Sequence, residues 1–580
     1  LADPPEPVVA LVGFGFRHVA AERAALTDVS LEVRAGEYVG VLGATGAGVS
    51  TLLTAIDGVV PQLVRGETSG SITVLGRDPT VVPVHQLARD VGLVFDDPAL
   101  AATQASVAEE VAFGLENLGM ARAEMDPPIA AALAAVGLVG LESREPSTLS
   151  GGELGRLAIA CALATGPRLL VLDGPSTNLD PAGRRSVYGV LRRLNREQGV
   201  TVVVADQDAE GIAADATRVV VLDGGRVVAD GRPDDVLGRP AVLRRHGVSS
   251  TGAAELAEAL GVETPVPTSV EAVAARLSGL PATDAAVVPD AARTGPTPLV
   301  ALSGVAYRYP GADRDAVVAE ALRVHAREVV GLVGANGSGK TTLGRLVNGL
   351  LRPQRGTVVV DGLATDAHPL RTLAAHVGSV FQDPANQLFA STVAEELALG
   401  PRAIGMPEAE IAERVHELAA TLGLDGVLAR HPQRLGRAER RLVALGAVLA
   451  MRPRVLILDE PTTGADARLA AVIEGQIRAA AGHGSAVLVA SHDMAFLGRV
   501  AQRLVVMDRG RILADASTRR VFADEELLAA AGLEPPPVMR VALAVTRSGP
   551  DRWPPVSLEE ATAWLRARVP REASAEEAPR

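Results

Sequence analysis

The sequence predicts a tandem α/β fold, with two homologous domains in one chain, each built on a mostly parallel sheet. Three observations carry this prediction. The chain repeats itself at a near-constant offset, aliphatic runs of strand type alternate with Ala/Leu/Arg helical stretches, and 48% of the 580 residues are hydrophobic while only 2% are aromatic. A chain of this kind can build large aliphatic cores and is not disordered. Short apolar strands at 38–42, 169–172 and 202–205, separated by helical stretches, are the pattern of α/β layers.

The repeat sets the domain plan. Residues 25–48 (ALTDVSLEVRAGEYVGVLGATGAG) are echoed by 318–339 (VAEALRVHAREVVGLVGANGSG), and VLDGGRVVADGRPDDVL at 221–237 is echoed by VMDRGRILADASTRRVF at 506–522. The offset is 291 from Val49 to Lys340, 286 from Asp173 to Asp459 and 285 from Gln207 to His492. A register that drifts so little marks a duplication. The domains are expected at 7–247 and 298–534. Between them, 248–297 reads as an Ala/Pro/Thr/Asp-rich linker with one helix near 269–277, and 535–580 reads as a C-terminal tail.

Composition excludes several classes. With 56 Lys+Arg against 69 Asp+Glu, the formal net charge of −13 argues against a protein that coats nucleic acid. A single cysteine, Cys161, excludes an internal disulfide and a multi-cysteine metal site, and is expected to be a small core residue. No apolar run reaches the ~18 residues of a spanning helix. The first seven residues have no basic n-region, so no secretory signal is expected there. Any spans would come from another subunit, with this chain at the cytoplasmic face of the membrane. The chain has one lysine, Lys340, against 55 arginines. Coding bias explains the scarcity but not the position of the survivor.

That position is a phosphate loop. Gly334-Ala335-Asn336-Gly337-Ser338-Gly339-Lys340-Thr341-Thr342 fits G-x-x-x-x-G-K-[ST] and follows an aliphatic run at 329–333. The glycines let backbone N–H groups turn toward phosphate oxygens, and the helix that follows presents its positive end. Lys340 is expected to reach the β/γ-phosphates and Thr341 to hold Mg²⁺. Downstream, 455–459 is a strand ending in Asp459-Glu460, which places Asp459 near the metal and Glu460 as a general base. Ser491-His492-Asp493 follows the run 486–490.

In this order the motifs resemble the nucleotide-binding domain of ABC transporters, twice over. The resemblance implies tandem P-loop NTPase domains, each with a helical signature subdomain, that bind and hydrolyse ATP with Mg²⁺. It makes Tyr309 the aromatic that stacks on adenine. Gln382, in Phe-Gln-Asp-Pro, is the Q-loop residue that meets the metal beside Thr341 and Asp459. Gly464-Ala465-Asp466 is the D-loop and His492 the switch histidine. The catalytic set is then Glu460, His492, Lys340 and Gln382. Leu149-Ser150-Gly151-Gly152-Glu153 is the signature, whose Ser150, Gly151, Gly152 and Glu153 would contact nucleotide held by a partner domain.

The halves are unequally equipped. In the first, Val49 stands for Lys340, Asp96 for Gln382, Gly174 for Glu460, Gln207 for His492 and His18 for Tyr309. In the second, the signature has become Leu435-Gly436-Arg437-Ala438-Glu439. ABC domains pair head to tail, each ATP lying between one domain's phosphate loop and the other's signature. Within this chain, that pairing would collect every intact motif in one composite site and every loss in the other.

Finer likeness points to one group. Phe381-Gln382-Asp383-Pro384-Ala385-Asn386-Gln387-Leu388-Phe389, continued by Ser391-Thr392-Val393-Ala394-Glu395-Glu396, resembles the energy-coupling-factor (ECF) and cobalt-type importer ATPases. Residues 106–116 of the first half resemble the same stretch. The expected partners are a transmembrane coupling protein, docking after Asp97 and Asp383, and a small substrate-binding membrane subunit, with no nucleic acid. The usual cargo of that group is a vitamin, a vitamin precursor or a transition-metal ion. Rival readings are a sugar importer or exporter ATPase, or a tandem ABC ATPase acting on ribosome or DNA. The last would want a basic linker, zinc modules or long heptads, and the sequence has none of them. Glu395 and Glu396 are expected on a solvated helix face.

Overall fold

The computed structural model describes residues 6–19, 21–95, 102–177, 179–277, 297–546 and 555–566. The chain divides into two compact units, Leu1–Arg276 and Leu277–Arg580.

In the second unit, the strands order as Val377–Val380, Val455–Asp459, Ala486–Ala490, Val329–Val333, Arg503–Asp508 and Arg511–Ser517. All pair in parallel except the last, which returns antiparallel. Covered by helices on both faces, the central strands need no polar side, and Val329–Val333 and Ala486–Ala490 are buried at every residue. An antiparallel lobe of Val317–His325, Pro298–Tyr307 and Arg355–Val360 joins this sheet through one pair, Val318 with Arg511. A helical subdomain of Val393–Ala403, Glu408–Leu422 and Arg437–Ala450 stands beyond the edge strand Val377–Val380.

The first unit repeats the plan. Its sheet runs Val91–Val94, Leu169–Asp173, Thr201–Ala205, Tyr38–Gly43, Arg218–Asp223, Arg226–Gly231, and its antiparallel lobe is Leu26–Val33, Val9–His18, Gly66–Val74. The two sheets meet at the same seam, where Thr27 N donates to Gly225 O at 2.8 Å as Val318 N donates to Gly510 O at 2.6 Å.

The stretches read as linker and tail are partly folded. Residues 248–277 pack on the first unit as the helices Gly252–Ala259 and Val270–Leu277, burying Ala253, Ala254 and Leu256. Gly252 N is held by Glu210 Oε1 at 2.7 Å. Past residue 534, the helices Pro537–Thr546 and Leu558–Arg566 bury Met539, Val541, Ala542, Ala561 and Leu565, and Arg519 pairs with Glu560. The helix Val270–Leu277 stands where the sequence places one, whereas Pro- and Ala-rich composition hides the other three. The remainder of the expected linker, 278–296, lies outside the described residues.

Candidate functional site

In the second unit the parallel strands deliver their C-terminal ends to one edge, where the motif residues gather. Gly334 and Gly339 adopt φ of 150° and 104°. A Cβ on Gly334 would meet Met507 O at 2.1 Å and one on Gly339 would meet Ala316 O at 2.5 Å, so only glycine fits. The loop feeds the helix Lys340–Val347. Lys340 is buried, and its Nζ donates to Gly334 O at 2.7 Å and Ala335 O at 3.0 Å. The Ser338 hydroxyl is buried without a hydrogen-bond partner among the described residues, and open space faces Gly337. A loop that turns a lysine, an unsatisfied hydroxyl and a helix N-terminus to one place fits a phosphate chain.

Thr341 Oγ1 donates to Asp459 Oδ2 at 2.7 Å. This joins the two oxygen ligands expected for Mg²⁺, and oxygen donors suit a hard cation. Burial pushes the Asp459 carboxyl up, against the Thr341 bond, which lowers it. Gln382 is exposed on the loop after Val377–Val380, and no hydrogen bond joins it to Thr341 or Asp459 among the described residues.

Glu460 is buried, and its backbone sits at φ 46°, the left-handed region that costs a non-glycine residue about 1–2 kcal/mol. His492 Nδ1 lies 3.0 Å from Glu460 Oε1, and Ser491 Oγ donates to Glu460 Oε2 at 3.3 Å. The His492 contact is close but not aligned as a hydrogen bond. Burial pushes the Glu460 carboxyl up, but His492 and Lys340 together outweigh burial and hold it below its ordinary value. An ionised carboxylate beside an imidazole can accept a proton from water. Tyr309 stands at the loop's flank, its hydroxyl 3.2 Å from Thr342 Oγ1 and its ring edge-on to Tyr307.

The first unit builds the same frame with different chemistry. Val49 packs on the apolar core, so close to Gly43 that a Cβ there would meet its methyl at 2.7 Å. Gln207 Nε2 donates to Gly43 O at 2.9 Å. Gly43 corresponds to Gly334, so the switch-position amide occupies the carbonyl that the lysine holds in the second unit. His18 keeps the edge-on pairing, against Phe16. Asp96 lies outside the described residues. The signature is well formed: Ser150 caps the helix Gly151–Ala164, its Oγ accepting from Glu153 N at 3.3 Å while Glu153 Oε2 accepts from Ser150 N at 2.8 Å. Backbone contact of this kind lowers the Glu153 carboxyl. The corresponding cap in the second unit, Gly436, offers no side chain, and only Glu439 Oε2 closes the turn, on Gly436 N at 3.0 Å.

Sequence reasoning misplaced one residue of this region. Glu396 is 2% exposed rather than solvated, and its Oε2 accepts from Phe389 N and Ala390 N, both at 2.7 Å. Glu110 does the same in the first unit, with Thr103 N at 2.7 Å and Gln104 N at 2.8 Å. Each carboxylate pins the loop before its helix. The second Glu of an Ala-Glu-Glu triplet recurs in both halves, and that was the available signal.

Comparison with known proteins identifies the family. A family model described as ABC transporter matches residues 26–177 and 320–463. The chain is 35% identical to an ABC transporter ATP-binding protein of Methanosarcina acetivorans, over 97% of this chain and 94% of that protein. It is 33% identical to one of Caldanaerobacter subterraneus, over 90% and 93%. Among solved structures it is similar to cbiO1 from Clostridium perfringens, part of the ABC transporter complex cbiONQ, with 28% identity and a TM-score of 0.37, covering 41% of this chain and 94% of that one. No described helix is long and apolar enough to cross a membrane. The match over both halves, and over nearly the whole length of these relatives, shows that the chain belongs to the ABC transporter ATP-binding proteins, ATPases that couple ATP and Mg²⁺ to transport.

Proposed function

We propose that this chain powers a membrane importer of the ECF type, carrying a vitamin, a vitamin precursor or a transition-metal ion, from the cytoplasmic face of the membrane. Its partners are a transmembrane coupling protein and a small substrate-binding membrane subunit. The two domains pair head to tail within the chain. One composite site hydrolyses ATP; the other is degenerate.

The observation that carries this reading is the sorting of the losses. Lys340, Asp459, Glu460 and His492 stand together in one unit, and the intact signature cap, Ser150-Gly151-Gly152-Glu153, stands in the other. Random decay would scatter defects across both composite sites. In the working site, Lys340 and the loop N–H groups bind the phosphates, and Gly334, Asn336, Gly337, Ser338, Gly339 and Thr342 shape their cradle. Tyr309 supports the base. Thr341, Asp459 and Gln382 would hold Mg²⁺, which supplies charge neutralisation on the phosphate oxygens. Glu460 takes the proton of the attacking water, and His492 orients Glu460 and holds it ionised. In the degenerate site the first unit offers no lysine and no carboxylate at position 174, and Gln207 latches the loop carbonyl. That site then serves as a clasp or a non-hydrolytic nucleotide site. The ECF assignment rests on the stretch 381–396, whose loop is pinned by Glu396 and leaves Phe389 78% exposed where a coupling helix would dock.

The test is affinity purification of the chain from gently solubilised host membranes, with mass-spectrometric identification of what co-elutes. A multi-span coupling protein with a small membrane companion supports the reading. Ribosomal proteins, nucleic acid, or a sugar permease in their place overturns it.

A further inference from the structure

We propose that Arg441 is a positioning residue for Glu460, so that the second unit's altered signature helix serves the hydrolytic carboxylate of its own unit. This rests on Glu460 being the general base of the proposed working site.

Arg441 lies on the helix Arg437–Ala450, one turn past the signature, and is 6% exposed. A buried guanidinium needs a partner. Its Nη1 donates to the carbonyl of Thr463, in the turn between Glu460 and the helix cap Asp466. The turn is closed by a long bond, Thr463 N to Glu460 O at 3.4 Å. It also starts from a left-handed glutamate, φ 46°. Such a conformation persists only where the surroundings hold it. Arg441 supplies a buried charged donor to the far end of that turn. Burial lowers the Arg441 guanidinium to about 10, Arg437 adds to this, and Glu460 and Asp383 oppose it. It therefore stays cationic at neutral pH and within electrostatic reach of the base.

The first unit is the internal control. Its counterpart of Arg441 is Gly155 and its counterpart of Glu460 is Gly174, at φ 58°. There Thr177 N closes the turn on Gly174 O at 2.9 Å. Where no carboxylate must be held, glycine takes the left-handed backbone without strain, and no guanidinium clamp is seen among the described residues.

The test compares the purified chain with Arg441→Met, Arg441→Lys and Glu460→Gln, recording kcat, KM for MgATP and thermal unfolding. Arg441→Met should lower kcat about 10- to 100-fold, with KM within about twofold. Arg441→Lys should restore part of kcat, with KM unchanged. A wild-type kcat in Arg441→Met while Glu460→Gln is inactive overturns this inference and leaves the function standing. So does a fall in kcat that comes with a weakened KM and no rescue by lysine, which would mark a folding role only. If Arg441→Met does not fold, the lysine variant decides alone: a reduced kcat with KM held supports the proposal, and an unchanged kcat, or a kcat and KM that move together, overturns it. Full turnover in Glu460→Gln overturns both readings.

Discussion

Glu460 in the second unit and Gly174 in the first end equivalent strands with the same backbone. Their φ values are 46° and 58°, and the N–H of each donates to the neighbouring strand, to Ala490 O at 2.8 Å and Ala205 O at 2.7 Å. The frame is conserved between the units while the side chain it carries is not. The same holds at the phosphate loop, where Lys340 Nζ and Gln207 Nε2 reach equivalent carbonyls from different elements. It holds again at the opposite end of the sheet, where Tyr38 and Asp215, the latter paired with Arg192, stand in the first unit at the positions of Val329 and Val500 in the second. A parallel sheet between helices is held by backbone bonds and aliphatic packing, and neither needs the catalytic groups. With hydrolysis confined to one site, as proposed, the other half would be free to trade charged groups for packing and neutral hydrogen bonds.

The largest expected effect tests the asymmetry directly. Glu460→Gln should cut ATP turnover by about 10²- to 10⁴-fold. Gly174→Glu should leave turnover within about twofold of wild type, because Val49 and the Gln207 latch remain. A gain of hydrolysis in Gly174→Glu would break the comparison.

A second contrast is Asp57 against Asn348, at equivalent helix ends. Burial pushes the Asp57 carboxyl up to about 7, while Asn348 donates its amide to Ser379 Oγ at 3.0 Å. The folded state thus holds the Asp57 proton more tightly than the unfolded state. Its stability is greatest below about pH 4 and is lost as pH rises through about 7. Asp57→Asn should therefore stabilise the first unit by ~2–4 kcal/mol above pH 7 and by little below pH 4. Denaturant titrations at pH 4 and pH 8 check this; equal gains at both would show that the effect is not titration.

Smaller effects separate the two signature caps. Ser150→Ala should cost about 1 kcal/mol, seen as a lowered midpoint for the first unit. Gly436→Ser, which would give the second unit a capping hydroxyl, should gain only a few tenths of a kcal/mol in the same assay. A large gain there would mean that the altered signature is strained rather than merely uncapped.

Much of the site was legible because it is local. The phosphate loop, Asp459-Glu460 and Ser491-His492-Asp493 are short motifs at the ends of aliphatic strands, and the duplication gave each an internal reference. Glu396 was misread because two adjacent glutamates on one helix look alike until a loop supplies two N–H groups to one of them. The helix near 269–277 was legible, but Gly252–Ala259, Pro537–Thr546 and Leu558–Arg566 were not, because their composition is that of a linker.

The sequence alone determined the duplication, the α/β class, the motif order and which half lost which group, since all of these are patterns along the chain. Only the tertiary structure decided that Gln207 takes the Gly43 carbonyl, that Asp57 is buried, that Glu396 pins its loop and that Arg441 reaches Thr463. Each depends on groups from separate elements meeting in a low-dielectric interior. There an unpartnered polar atom is costly, and the partner is set by packing rather than by proximity in sequence.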